Sequence, residues 1–183
     1  MDKKMLEDIM AQVSLNDLFR HIRKREKVML ASNEDLRLVI TDIAMYSANK
    51  NVYNTIRSGL KITEENVWYY KGDHGFVVTD LKKLVPIPYY RKTLKTSKKI
   101  LESTELNWLN SLVFVSNKLQ YVYVAEDALN VISIPETIVH AGETISAVVV
   151  NGRHLIAPID PPKNNKYLQS LTNIDGRLCH DNP

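Results

Sequence analysis

Leu15, Leu18, Phe19 and Ile22 fall at i, i+3, i+4 and i+7. That spacing puts all four on one face of a helix, and Ser14 with Asp17 three residues on is a start signal of the capping-box type. Before it, Met5, Ile9 and Val13 recur every fourth residue, with Leu6 and Met10 beside them, and predict an opening helix. Leu36, Val39, Ile40 and Ile43 repeat the full pattern after Ser32-Asn33-Glu34-Asp35. There a serine caps orphan amides and two acids meet the positive end of the dipole, so a third helix is expected. A shorter helix over 52–58 ends at Gly59, and Thr63-Glu64-Glu65 opens another turn leading to Val67 and Trp68.

The period then changes. Two glycines around Asp73 make a turn, after which Phe76, Val77, Val78 and Thr79 read as a strand. In Val85-Pro86-Ile87-Pro88 each proline removes a backbone donor, which predicts a linker or an extended edge. Residues 97–109 read as a weakly patterned helix. Beyond them, 112–115 and 119–124 flank Ser116-Asn117-Lys118 as a hairpin, and 129–134 make a strand stopped by Pro135. Residues 145–150 and 153–157 flank Asn151-Gly152, the dipeptide that supplies the two positive-φ positions of a type I′ turn.

Helices followed by strands predict an α+β chain, with a helical N-terminal third packed on or linked to an antiparallel sheet or small barrel of about five strands. The expected organisation is a mainly helical 1–84 ending in a short hairpin, a basic linker over 85–99, a β-rich 100–160 and an irregular tail over 161–183. With 183 residues, 44% of them hydrophobic, the chain is long enough to bury a core. One cysteine, Cys179, makes no internal disulfide, and no apolar run reaches the roughly 18 residues of a membrane span. A cytoplasmic protein without a membrane anchor is the expectation.

Charge changes the picture more than composition does. The net charge is only +3, but residues 82–99 hold seven cations and no acid, whereas 101–160 hold seven acids and two cations. A second stripe, Arg20, Arg23, Lys24 and Lys27, runs along the polar side of the helix from Leu15, with Arg25 beside it. Cations beside aromatic rings are what a nucleic-acid strand needs, since the cations neutralise phosphate and the rings stack unpaired bases. The candidate nucleic-acid residues are therefore Arg20, Arg23, Lys24, Lys27, Tyr89, Tyr90, Arg91, Lys92, Lys95, Lys98 and Lys99. Trp68-Tyr69-Tyr70-Lys71 is a second cluster of the same kind. Charged helix faces are more often simply solvated, which weighs against this reading.

Signatures of catalysis are few. The six glycines form no phosphate loop, a single cysteine excludes a thiolate zinc site, and no Gly-x-Ser-x-Gly occurs. Asp73, Asp80 and Lys82 allow one enzymatic reading, a divalent-metal nuclease in which two acids hold the ion and position water. Cys179-His180-Asp181 aligns three ligand types at the tail. The balance favours a non-enzymatic intracellular binding or accessory protein acting through protein–protein contacts, without catalytic residues, metal or cofactor. Its size and split charge suit a phage or mobile element. Nucleic-acid binding over 20–27 and 82–99 is the alternative. The protein-contact reading rests on the charge split, on the sparsely charged strands of 111–125 and on the proline-bounded 85–88, where a strand edge could accept another chain.

Overall fold

A computed structural model describes residues 12–96, 98–118, 120–141 and 147–159. It holds one sheet of eleven strands, in the order β5-β4-β1-β2-β3-β11-β10-β9-β6-β7-β8. In chain order the elements are α1 (Leu15–Arg23), β1 (Lys27–Ser32), β2 (Arg37–Thr41), β3 (Ala44–Ser47), α2 (Lys50–Gly59), β4 (Tyr69–Gly72), β5 (Gly75–Val78) and α3 (Pro86–Lys95). They continue with β6 (Lys98–Trp108), β7 (Ser111–Ser116), β8 (Tyr121–Ala125), α4 (Glu126–Leu129), β9 (Ile138–Ala141), β10 (Ala147–Val150) and β11 (His154–Ile156). Every neighbouring pair is antiparallel.

This corrects the expected fold. There is no helical third beside a five-stranded barrel: five strands come from the N-terminal half, and β3 joins them to the rest through β11. The helix expected from Leu36 is a β-hairpin. Arg37-Leu38-Val39-Ile40-Thr41 is rich in β-branched residues and buried on both faces, and such a strand is apolar at successive positions. An unbroken apolar run also satisfies i, i+3, i+4. Asn33, expected in a helix start, instead makes an Asx turn, its Oδ1 accepting from the amides of Asp35 (3.1 Å) and Leu36 (2.9 Å).

Four more expectations are corrected. Residues 63–68 are not helical, because the Tyr69 hydroxyl accepts from the amides of Thr63 (3.1 Å) and Glu64 (3.0 Å) and holds them in a loop. Pro86 and Pro88 open α3 rather than form a linker; proline suits a first helical turn, where the amide has no intrahelical partner. Residues 98–108 are the longest strand, not a helix, and the strand expected over 129–134 is α4 and a turn, Ile132 making only an isolated bridge to Val13. Strands β1 and β9 were not anticipated, and Lys27, expected on the helix from Leu15, opens β1 instead.

Other expectations hold. Ser14 caps α1, and the 111–125 and 147–156 hairpins form. The helix expected over 52–58 starts earlier, with Asn49 as its cap accepting from the Val52 amide at 2.9 Å, and Gly59 is its last residue rather than a left-handed cap, a conformation that Lys61 takes with φ of 56°. Asn151 and Gly152 take φ of 51° and 65°. The opening helix, Cys179-His180-Asp181 and the expected tail lie outside the described residues.

Side-chain alternation sorts the core into two layers. On β1, Val28 and Leu30 face one cluster with Leu18 and Ile22 of α1 and Tyr53 and Ile56 of α2. Met29 and Ala31 face the other cluster, with Leu38, Ile40, Val149 and Tyr90 of α3. Helices therefore cover both faces of the central strands, α1 and α2 on one side and α3 on the other. The Tyr46 hydroxyl of β3 donates to the Ala128 carbonyl of α4 at 2.9 Å, and Asp127 of α4 meets His21 of α1, so the segment after β8 packs against both β3 and α1. No described helix is long and apolar enough to cross a membrane.

Candidate nucleic-acid interface

The sheet separates α1, which carries Arg20, Arg23 and Lys24, from α3, which carries Arg91, Lys92 and Lys95. α1 docks through Leu18 and Ile22 on one face, and α3 docks through Tyr90, Ile87 and Leu94 on the other. Arg20, Arg23 and Lys24 project from α1 or its C-cap and are exposed on the first side. Arg20 is held by Asp17 at 2.8 Å, and Arg25 by Asp127 at 2.5 Å. Lys27 shares its side of β1 with Met29 and Ala31, and so sits on the α3 face.

The inner side of α3 is Pro86, Tyr90 and Thr93, which leaves Tyr89, Arg91, Lys92 and Lys95 outward. Tyr90 is not available to a ligand: it is 3% exposed and its hydroxyl donates to the Arg153 carbonyl. Tyr89 is 56% exposed. Lys98 pairs with Ala141 in the β6–β9 ladder, and Ala141 belongs to the α3-side cluster, so Lys98 joins this face; Lys99, paired with His140, points to the other. Among the described residues, none of the seven cations of 82–99 has a carboxylate within ion-pair distance. Part of this charge has a local use, because Lys92 and Lys95 sit in the last turn of α3, where the dipole favours cations.

Aromatic rings lie among these cations. Trp68 packs on the α3-side cluster, with the Lys27 ammonium 4.5 Å from its ring centroid. Trp68 and Tyr89 together line a depression of about 180 Å³ with Ile40, Met45, Leu155, Thr41 and Asp42. On its other side Trp68 lines a second depression, about 220 Å³, with Tyr70, Lys82, Leu84 and Asp80. The α3 side of the sheet thus carries Lys27, Tyr89, Arg91, Lys92, Lys95 and Lys98 of the expected residues, spread from β1 to β6, together with Trp68, Tyr70 and Lys82. Trp68 was visible in sequence as part of an aromatic cluster; its place beside Tyr89 follows only from the pairing of β4 with β1.

The acids of the nuclease reading stand apart from such a site. Asp73 is exposed in the β4–β5 turn, and Asp80 accepts from the Lys82 amide at 2.9 Å. Among the described residues no group of three potential ligands is placed to hold a metal.

A larger cleft, about 490 Å³, opens on the α1 side between α1, the β6–β7 tip and α4. At its base His21 Nδ1 lies 3.2 Å from Asp127 and His21 Nε2 lies 3.3 Å from Thr41 Oγ1. The order carboxylate, imidazole, hydroxyl looks like a nucleophile triad. Its burial argues otherwise. His21 is 1% and Thr41 4% exposed, and Thr41 Oγ1 already accepts from the Ala44 amide at 3.1 Å. The consistent proton arrangement has Thr41 donating to Nε2 and Nδ1–H donating to Asp127, which is a clamp between α1, the β2–β3 turn and α4. Burial and the neighbouring Arg25 lower the His21 pKa to about 4, against the opposing pull of Asp127. Burial would raise Asp127, but Arg25 and His21 outweigh it and hold the carboxyl below its ordinary value. The cleft's three cations, Arg20, Lys24 and Arg25, face three carboxylates, Asp17, Glu126 and Asp127, so it carries little net field for an anion.

Comparison with known protein families, with curated proteins and with solved structures finds no match to this chain.

Proposed function

We propose that this chain is a binding protein whose α3 face contacts a nucleic-acid strand. One observation carries the reading: Arg91, Lys92, Lys95 and Lys98 lie on the α3 side of the sheet without an ion pair among the described residues, on the same side as exposed Tyr89 and the groove it lines with Trp68. Unneutralised cations on a single face focus a positive field and exchange condensed counterions for phosphates. The α1 face offers less, since two of its cations are already paired. Fluorescence anisotropy with a labelled oligonucleotide tests the assignment. The pair Lys92→Ala with Lys95→Ala should weaken binding about tenfold or more, while Arg20→Ala with Lys24→Ala should leave it nearly unchanged. Equal losses in both pairs would remove the α3 face as the site.

Protein contact is the second reading, favoured by the end strand β5. Val77 is 51% and Val78 37% exposed there, and among the described residues no strand lies beyond it. An extended partner segment could add to that edge through backbone hydrogen bonds. Val77→Lys would block such addition without touching α3.

A further inference from the structure

We infer that the depression between Trp68 and Tyr89 takes an unpaired base, which makes the α3 face selective for single strands over duplex. The inference rests on the nucleic-acid reading above and adds to it the form of the strand. A cavity of about 180 Å³ is smaller than the roughly 300–1,000 Å³ that encloses a drug-sized ligand, so it suits one planar ring system. Its walls are apolar or aromatic apart from Thr41 and Asp42, and the Asp42 carboxylate disfavours a phosphate inside. The cations lie outside it, on the exposed side of α3 and at the start of β6. Bases are therefore drawn inward and phosphates outward. In duplex the same bases are stacked and paired, and reaching the groove requires their extrusion. A single strand presents them without that cost, and stacking tolerates any base because each has a π face.

Tyr89 is the safer position to change, since it is exposed, whereas Trp68 also packs on the core. Tyr89→Ala should weaken binding of a single-stranded oligonucleotide roughly 5- to 140-fold. Tyr89→Phe keeps the ring and should restore it. Binding of inorganic polyphosphate, which has charge but no base, should be the same in all three proteins. In a Trp108→Phe background Trp68 is the sole tryptophan, and its emission should be quenched by single strand but not by polyphosphate. If Tyr89→Ala weakens single strand and polyphosphate alike, or duplex binds as well as single strand, the base-binding groove is wrong while the cationic face stands. If the wild type binds none of the three, both readings fall.

Discussion

The ammonium of Lys27 sits 4.5 Å from the centroid of the Trp68 ring, joining the first residue of β1 to the residue just before β4. The contact fixes the ring that divides the two depressions of the α3 face, and it places a cation at their edge. A cation over an indole at a partly exposed site contributes about 0.5–1 kcal/mol. Lys27→Ala should lower unfolding stability by that amount in urea titration. It should also make single-strand binding less salt-dependent by about 0.7 in the log–log slope. A stability loss without a change in slope would leave Lys27 as a packing residue only.

Acid should unfold this protein through buried histidines. His21 and His154 are both lowered to about 4, His21 by burial and Arg25, His154 by burial and Arg153. Their unfolded value is near 6.5, so the fold prefers them neutral. Their contribution is complete above about pH 6.5 and is lost as pH falls toward 4, each site being worth on the order of 3 kcal/mol. Two such terms are comparable with the roughly 5–15 kcal/mol stability of a whole domain. Urea midpoints measured from pH 7.5 downward should drop across this window. His154→Leu should flatten part of the drop, because it removes one titrating site, and among the described residues neither ring nitrogen of His154 has a hydrogen-bond partner to lose.

Asp127 links α4 to two residues of the α1 region, accepting from Arg25 and His21. Asp127→Ala would strand a mostly buried guanidinium, 17% exposed, beside a buried imidazole. A cost of about 2–4 kcal/mol is expected, below that of a fully buried pair because solvent reaches both partners. Oligonucleotide affinity measured under folding conditions should not change, since this cleft lies across the sheet from α3. A loss of binding with stability intact would instead make the α1 cleft part of the site.

The Tyr69 hydroxyl takes the place of a helix over 63–68. Tyr69→Phe leaves the Thr63 and Glu64 amides without their acceptor, at a cost of about 1–2 kcal/mol given partial access to water. Amide exchange at those two positions should accelerate while exchange in β1 and β2 stays slow.

These side chains also show how far the sequence could be read. Ser14 capping α1 and Asn151-Gly152 turning β10 into β11 are local chemistry, legible from a few residues. Arg37 to Thr41 was not, because burial on both faces erases the alternation that marks a strand; what decides it is pairing with β1 and β3, set by distant residues. The site divides in the same way. The charge of Arg91, Lys92 and Lys95 is plain in the sequence, but the separation of Arg20 and Lys24 from them depends on which side of the sheet each helix covers. Trp68 reaches Tyr89 only because β4 adds beside β1.

The salt dependence of single-strand binding tests the central claim most directly. Between roughly 50 and 200 mM salt, log Kobs should fall linearly, with a slope of about −3 to −4 if Lys27, Arg91, Lys92, Lys95 and Lys98 each meet a phosphate. Lys92→Ala with Lys95→Ala should make that slope shallower by more than about one. A flat salt dependence, or a slope that the double substitution leaves unchanged, would contradict the α3 face as a phosphate-binding surface.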